Sequence, residues 1–186
     1  VATAKPSANS ISALSSARNE LADNLLSQHR NAEALALSRM RWRELQANGN
    51  PGETAAGALA MLALAELANG LAQPALAHAR SAAEKAHAES PDSRREGYAL
   101  MTLARAQLAT GNAVAAATQA RKAIAMFTAA LSADHLNTGL ARGVLGRALL
   151  AQRQQAEARK ELDAAIVILA DKAAWLPELA ELRRLH

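Results

Sequence analysis

Three stretches of this chain can be laid over one another at a spacing of 41–42 residues, and a period of that length restricts the fold more than any other feature. They run from Leu62-Ala63 to Ala82, from Leu103-Ala104 to Ala123 and from Leu145-Gly146 to Ala165. In each, a leucine and a small residue are followed by an alanine (Ala75, Ala116, Ala158) and then by a second one (Ala82, Ala123, Ala165). Gly70, Gly111 and Arg153 mark a turn between the two halves. A fainter copy precedes them, with Leu21-Ala22, a turn at His29, and Ala34. Each copy is one supersecondary unit whose apolar face needs a neighbour, so stacking is implied.

The type of unit follows from the spacing inside each copy. Leu100, Leu103, Ala104 and Gln107 share a helix face, as do Ala116, Ala120 and Ala123. The only aromatic residues are Trp42, Tyr98, Phe127 and Trp175, whereas strands favour aromatic and β-branched side chains. Alanine and leucine, the commonest residues, are strong helix formers, and small residues at matched heights let two helices approach closely. The pattern predicts helices at 10–28, 31–48, 53–69, 73–89, 92–109, 113–131, 135–151 and 155–170, with a last one at 175–186. Pro74 and Pro91 fit first turns, where a missing N–H costs nothing, and Ser90 fits a cap before Pro91. The expected architecture is all-α: a right-handed α-solenoid of four antiparallel helix pairs, at 10–48, 53–89, 92–131 and 135–170, with 175–186 as a C-terminal capping helix. Residues 10–186 are expected to form a single superhelical domain, with residues 1–9 as a linker before it.

The pattern of leucine, small residue, turn and two spaced alanines resembles the tetratricopeptide repeat (TPR). The longer period is similar to the 42-residue repeats of kinesin light chains, and Asp134-His135-Leu136-Asn137-Thr138 resembles their Asp-His-Pro-x-Thr opening. Leu136 departs from it, since proline is usual there. The likeness spans about residues 10–170. It implies a non-catalytic scaffold binding a protein or peptide in its concave groove, and no cofactor. It also implies the C-terminal docking or sensing part of a larger bacterial protein, such as a kinase or a transcription regulator, in the cytoplasm or periplasm. Self-association and ligand sensing are the alternatives, with Trp175, Leu176 and Leu179 as the adhesive edge in the first.

In such a stack the first helix of each pair lines the concave face. Its register places Asn19, Asp23 and Leu26, then Ala60, Leu64 and Leu67, then Met101, Arg105 and Leu108, then Gly143, Arg147 and Leu150 along the groove, with Tyr98 one turn further. Arg105 and Arg147 hold equivalent places and could grip a carboxylate or phosphate bidentately, with Tyr98 and Met101 as apolar contacts. Solvation alone also explains an exposed arginine, and packing between repeats also explains Tyr98. Chaperone-binding relatives need lysine and asparagine where Asn19 and Asp23 stand, so chaperone-tail binding is not expected.

Other chemistry finds little support. The chain carries 21 basic and 17 acidic residues, interleaved, for a net charge of +4, and it has no cysteine. Its most apolar stretch, Ala58 to Leu67, is broken by Glu66 and is too short for a membrane span. His78 and His87 lie nine apart, about half a turn around a helix, so they share no metal. His29 reads as a turn residue, His135 as part of the repeat opening, and His186 ends the sequence. The densest basic run, Arg39-Met40-Arg41-Trp42-Arg43, spreads around a helix instead of forming one face, which makes nucleic acid an unlikely partner.

Overall fold

The computed structural model describes residues 8–47, 52–173 and 176–185. Within them the chain is all helical: α1 (Ala8–Ser27), α2 (Asn31–Ala47), α3 (Gly52–Ala68), α4 (Ala72–Glu89), α5 (Arg94–Ala109), α6 (Ala113–Ala130), α7 (Leu136–Ala151), α8 (Gln155–Lys172) and α9 (Pro177–Leu185). Residues 1–7 of the expected linker, together with Trp175 and His186, lie outside the described residues, and Ala8 and Asn9 already belong to α1.

The helices pack as antiparallel pairs, α1 with α2, α3 with α4, α5 with α6 and α7 with α8, and each second helix also packs on the first helix of the next pair. The first helices touch one another along the stack, from α1 to α3, α5, α7 and α9, whereas the second helices form no such row among the described residues. The row whose members approach more closely is the inside of a curve. The odd-numbered helices therefore form the concave layer, and α9 takes the place that the first helix of a further pair would hold.

All four turns within the pairs are built alike. His29, Gly70, Gly111 and Arg153 have positive φ, between 58° and 83°. In each case this residue's N–H bonds the carbonyl three residues back, and the next N–H reaches five back, as in Leu71 to Glu66 and Gln154 to Leu149 at 2.9 Å. This is the Schellman arrangement, which satisfies the orphan carbonyls at a helix end and demands a left-handed residue. Glycine adopts it freely, while an L side chain there costs about 1–2 kcal/mol.

The junctions between pairs use side chains instead. Ser93, not Ser90, caps α5: its Oγ accepts from the Glu96 N–H at 3.2 Å, while Glu96 Oε2 accepts from the Asp92 N–H at 2.7 Å. This box needs the Ser-x-x-Glu spacing that Ser93 has and Ser90 lacks. Ser90 instead ends α4, its N–H bonding Ala86, so Pro91 lies between helices and not in a first turn. One period later, His135 Nδ1 accepts from the Asn137 N–H at 3.1 Å, and buried Thr138 donates to the Ser132 carbonyl at 2.8 Å. The Asp134-to-Thr138 motif is thus the entry cap of α7, and Leu136 stands at its first helical position.

Inside the pairs, Ala63 faces the level of Ala79, and Ala104 that of Ala120, all fully buried. The fourth pair trades volumes at this level: Gly146 replaces the first alanine and Leu162 the second. A Cβ at Gly146 would lie 2.7 Å from Leu162 Cδ2 and Cγ, which real atoms do not tolerate. The first pair departs differently, since Arg41 occupies the place held by Ala82, Ala123 and Ala165 in the others.

Gly146→Ala should destabilise the chain by about 1–3 kcal/mol through overpacking. In a double-mutant cycle with Leu162→Ala, urea unfolding should give a coupling of about 0.5–3 kcal/mol that favours the double variant over additivity. Arg153→Gly, by relieving the left-handed side chain, should stabilise by about 1 kcal/mol and raise Tm by roughly 2–4 °C in calorimetry.

Candidate binding groove

Two concavities open on the layer of first helices. The larger, of about 970 Å³, runs from α1 to α9 and is lined by Asp23, Leu26, Leu64, Leu67, Arg105, Leu108, Gly143 and Arg147, together with residues of α9. The smaller, of about 370 Å³, lies toward the opening turns of α5 and α7 and is lined by Asn19, Arg41, Ala60, Arg94, Arg95 and Tyr98 among others. The residues expected along one groove are thus divided between two.

Met101 is not a groove residue: it is 2% exposed and belongs to the main core. Its register explains why. Asn19 in α1 lies 3.4 Å from where a Cβ on Gly57 of α3 would be, and Gly143 in α7 lies beneath Leu182 of α9. These positions face the next first helix, and Met101 shares their phase. Leu150 packs half-buried between the main core and the terminal cluster of Leu162, Leu169, Leu179 and Leu182. Leu179 is buried in that same cluster, so it offers no exposed edge for self-association, and Leu176 packs against it half-buried.

Arg105 and Arg147 do stand in equivalent places on neighbouring helices, and both already meet carboxylates. Arg105 Nη2 is 3.9 Å from Glu178 and Arg147 Nη1 is 3.3 Å from Glu181, one turn apart on α9. Partly exposed pairs of this kind contribute about 0–1 kcal/mol each, whereas burying a leucine contributes about 1.5–3 kcal/mol. Leu179 and Leu182 therefore hold α9 in place, and the ion pairs aim its acidic edge along the groove. Spacing within the repeats gave no sign of this, because α9 follows the last repeat and its glutamates have no counterpart in the period.

The charges share one field. Crowding by protein atoms raises the pKa of Asp23 first and Glu178 raises it further, with Arg105 opposing. Burial pushes the Tyr98 phenol up to about 12, with Asp23 and Glu178 adding and Arg105 again opposing. Side chains from α1, α5 and α9 thus converge across the concavity.

Elsewhere the two histidines of α4 each pair with one carboxylate. His78 Nδ1 lies 2.8 Å from buried Glu66 on α3, and His87 Nδ1 lies 2.9 Å from Glu96 on α5, as their half-turn separation on α4 requires. Among the described residues no group of three or more such side chains could hold a metal, and no helix is long and apolar enough to cross a membrane. The basic run on α2 divides around the helix: Arg41 is buried, Trp42 packs between two core clusters, and Arg39 and Arg43 are exposed.

Two solved structures of a Podosopora anserina protein, assigned to the kinesin light chains and built of nearly identical TPR-like repeats, are similar to this chain. One, a point variant, has a TM-score of 0.69 at 23% identity, covering 94% of this chain and 86% of that one. The other has the same score and identity, covering 94% and 87%. No protein-family model and no curated protein matches the chain. The fold is a TPR-like helical repeat solenoid.

Because its folded-state pKa is raised, Asp23 costs stability once ionised, and that cost is complete above the folded value. Asp23→Asn should therefore raise Tm near neutral pH. The gain should shrink as pH falls through the carboxylate range, where folded Asp23 takes up its proton before the unfolded chain does. Thermal melts across that range check the sign.

Proposed function

We propose that the chain is a non-catalytic scaffold that takes a protein or peptide segment along its row of first helices. The observation that carries this reading is the 970 Å³ concavity, whose walls alternate apolar side chains (Leu26, Leu64, Leu67, Leu108) with charged ones of both signs. Binding surfaces of helical solenoids lie on this face. A partner meets two different halves. Toward α1 and α3, Glu20 and Asp23 flank the leucines and favour a basic group. Toward α5 and α7, Arg105 and Arg147 face Glu178 and Glu181, so an acidic partner must displace those carboxylates or share the arginines with them.

The test is capture of partners by the full chain from its native lysate, read by mass spectrometry, with wild type against Arg105→Ala plus Arg147→Ala. The double variant should keep its helical circular dichroism, because only partly exposed ion pairs are removed. A specific partner should be retained by wild type and lost, or weakened about tenfold or more, with the variant. Equal retention by both proteins would move the interface off the arginine half of the groove.

A further inference from the structure

The larger concavity has a polarity that follows from the repeat register. Asp23, Leu64, Arg105 and Arg147 hold the same place on α1, α3, α5 and α7, and all of them line the groove. One turn further along, α1, α3 and α5 present Leu26, Leu67 and Leu108, which line it too. One level of the row therefore runs from a carboxylate through a leucine to guanidinium groups, beside a strip of leucines. The two ends differ in what answers their charge. On the arginine side, Glu178 of α9 lies 3.9 Å from Arg105, and Glu181 lies 3.3 Å from Arg147. Asp23 is exposed in the groove and makes no hydrogen bond or ion pair among the described residues. The charges whose fields reach it are Glu178, which opposes its own, and Arg105, which that glutamate already shares. Glu20, one turn earlier on the same face of α1, adds a second carboxylate to this wall. Arg184, also in the lining, gives its Nε to the Ala180 carbonyl at 3.3 Å.

We propose that the segment held in this groove carries a lysine or arginine that seats at Asp23, facing Glu178, with apolar side chains beside it on Leu26, Leu64 and Leu67. The inference rests on the groove reading above and adds the chemistry and the direction of its partner. Any partner that covers the leucines also strips water from Asp23, and a carboxylate buried without a cation is strongly unfavourable. An ammonium or guanidinium at that point answers Asp23 and eases its repulsion by Glu178. A carboxylate there would meet two others, so the wall also selects against acidic segments in this position. The basic residue therefore marks the end of the segment that lies over α1.

The experiment selects random phage-displayed peptides on the immobilised full chain at about 0.15 M salt, where distant charges are screened. Enriched sequences are then synthesised and titrated by fluorescence anisotropy. The net charge of +4 gives basic peptides no general advantage on this chain. They should nevertheless share a lysine or arginine with leucine-like residues next to it. Asp23→Asn should weaken their binding about tenfold or more. That variant is expected to raise Tm, so a loss of binding is not a loss of fold. Asp23→Glu, which keeps the charge, should bind within about threefold of wild type. Arg105→Ala plus Arg147→Ala, run in parallel, reports on the groove reading. Sensitivity to Asp23→Asn alone would sustain the inference and confine the segment to the α1 and α3 half. Peptides that lack a basic residue, or that bind Asp23→Asn like wild type, yet weaken with the arginine variant would overturn the inference and leave the groove reading standing. No enrichment, or peptides that both variants bind like wild type, would overturn the two together.

Discussion

Everything in this stack depends on how closely two helices approach at one level of each pair. With alanine on both sides, as at Ala63 and Ala79 or Ala104 and Ala120, the backbones come together until the buried faces exclude water. That approach sets the spacing of the pairs, and the spacing in turn brings the first helices into mutual contact along one side. The concave layer, and with it each candidate site, is a consequence of small side chains. Dispersion contacts and apolar burial supply the attraction, but the geometry comes from what is absent at those positions.

Positions that recur with the period were legible in the sequence; positions outside it were not. His29 and Arg153 could be placed in the turns within the pairs although neither is glycine, because both align with Gly70 and Gly111; their left-handed backbone was seen only in the structure. The pairing of Arg105 with Arg147 across neighbouring helices was legible for the same reason. Met101 was misplaced by the narrowest margin, a rotation of the helix that turns a groove position toward the next helix. The acidic edge of α9 was not legible, since no repeat contains it. Glu66 and Glu96 were also missed as buried groups, because a charged residue on a helix reads as solvated unless its partner, here a histidine on α4, is seen in space. Arg41 stayed hidden because the first copy aligns only faintly with the others.

Chemically, the concave side is divided into unlike compartments. One end gathers guanidinium groups around small residues of α3, and the other mixes carboxylates, arginines and leucines under the influence of α9. A uniform repeat would give a uniform groove. The unlikeness comes from single positions that break the pattern, Arg41 in the first pair and Asp23 in α1, and from α9, which carries Glu178 and Glu181.

The exchange of volumes at Gly146 and Leu162 bears on how such a chain can change over generations. Repeats are often treated as interchangeable bricks, duplicated or reshuffled at will. Here the fourth brick is keyed: α7 set beside a helix with alanine would leave a hole, and α8 set beside a helix with alanine would collide with it. Its two helices can be copied or moved only together. In this repeat the pair, not the single helix, is therefore the smallest piece that inheritance can rearrange without damage.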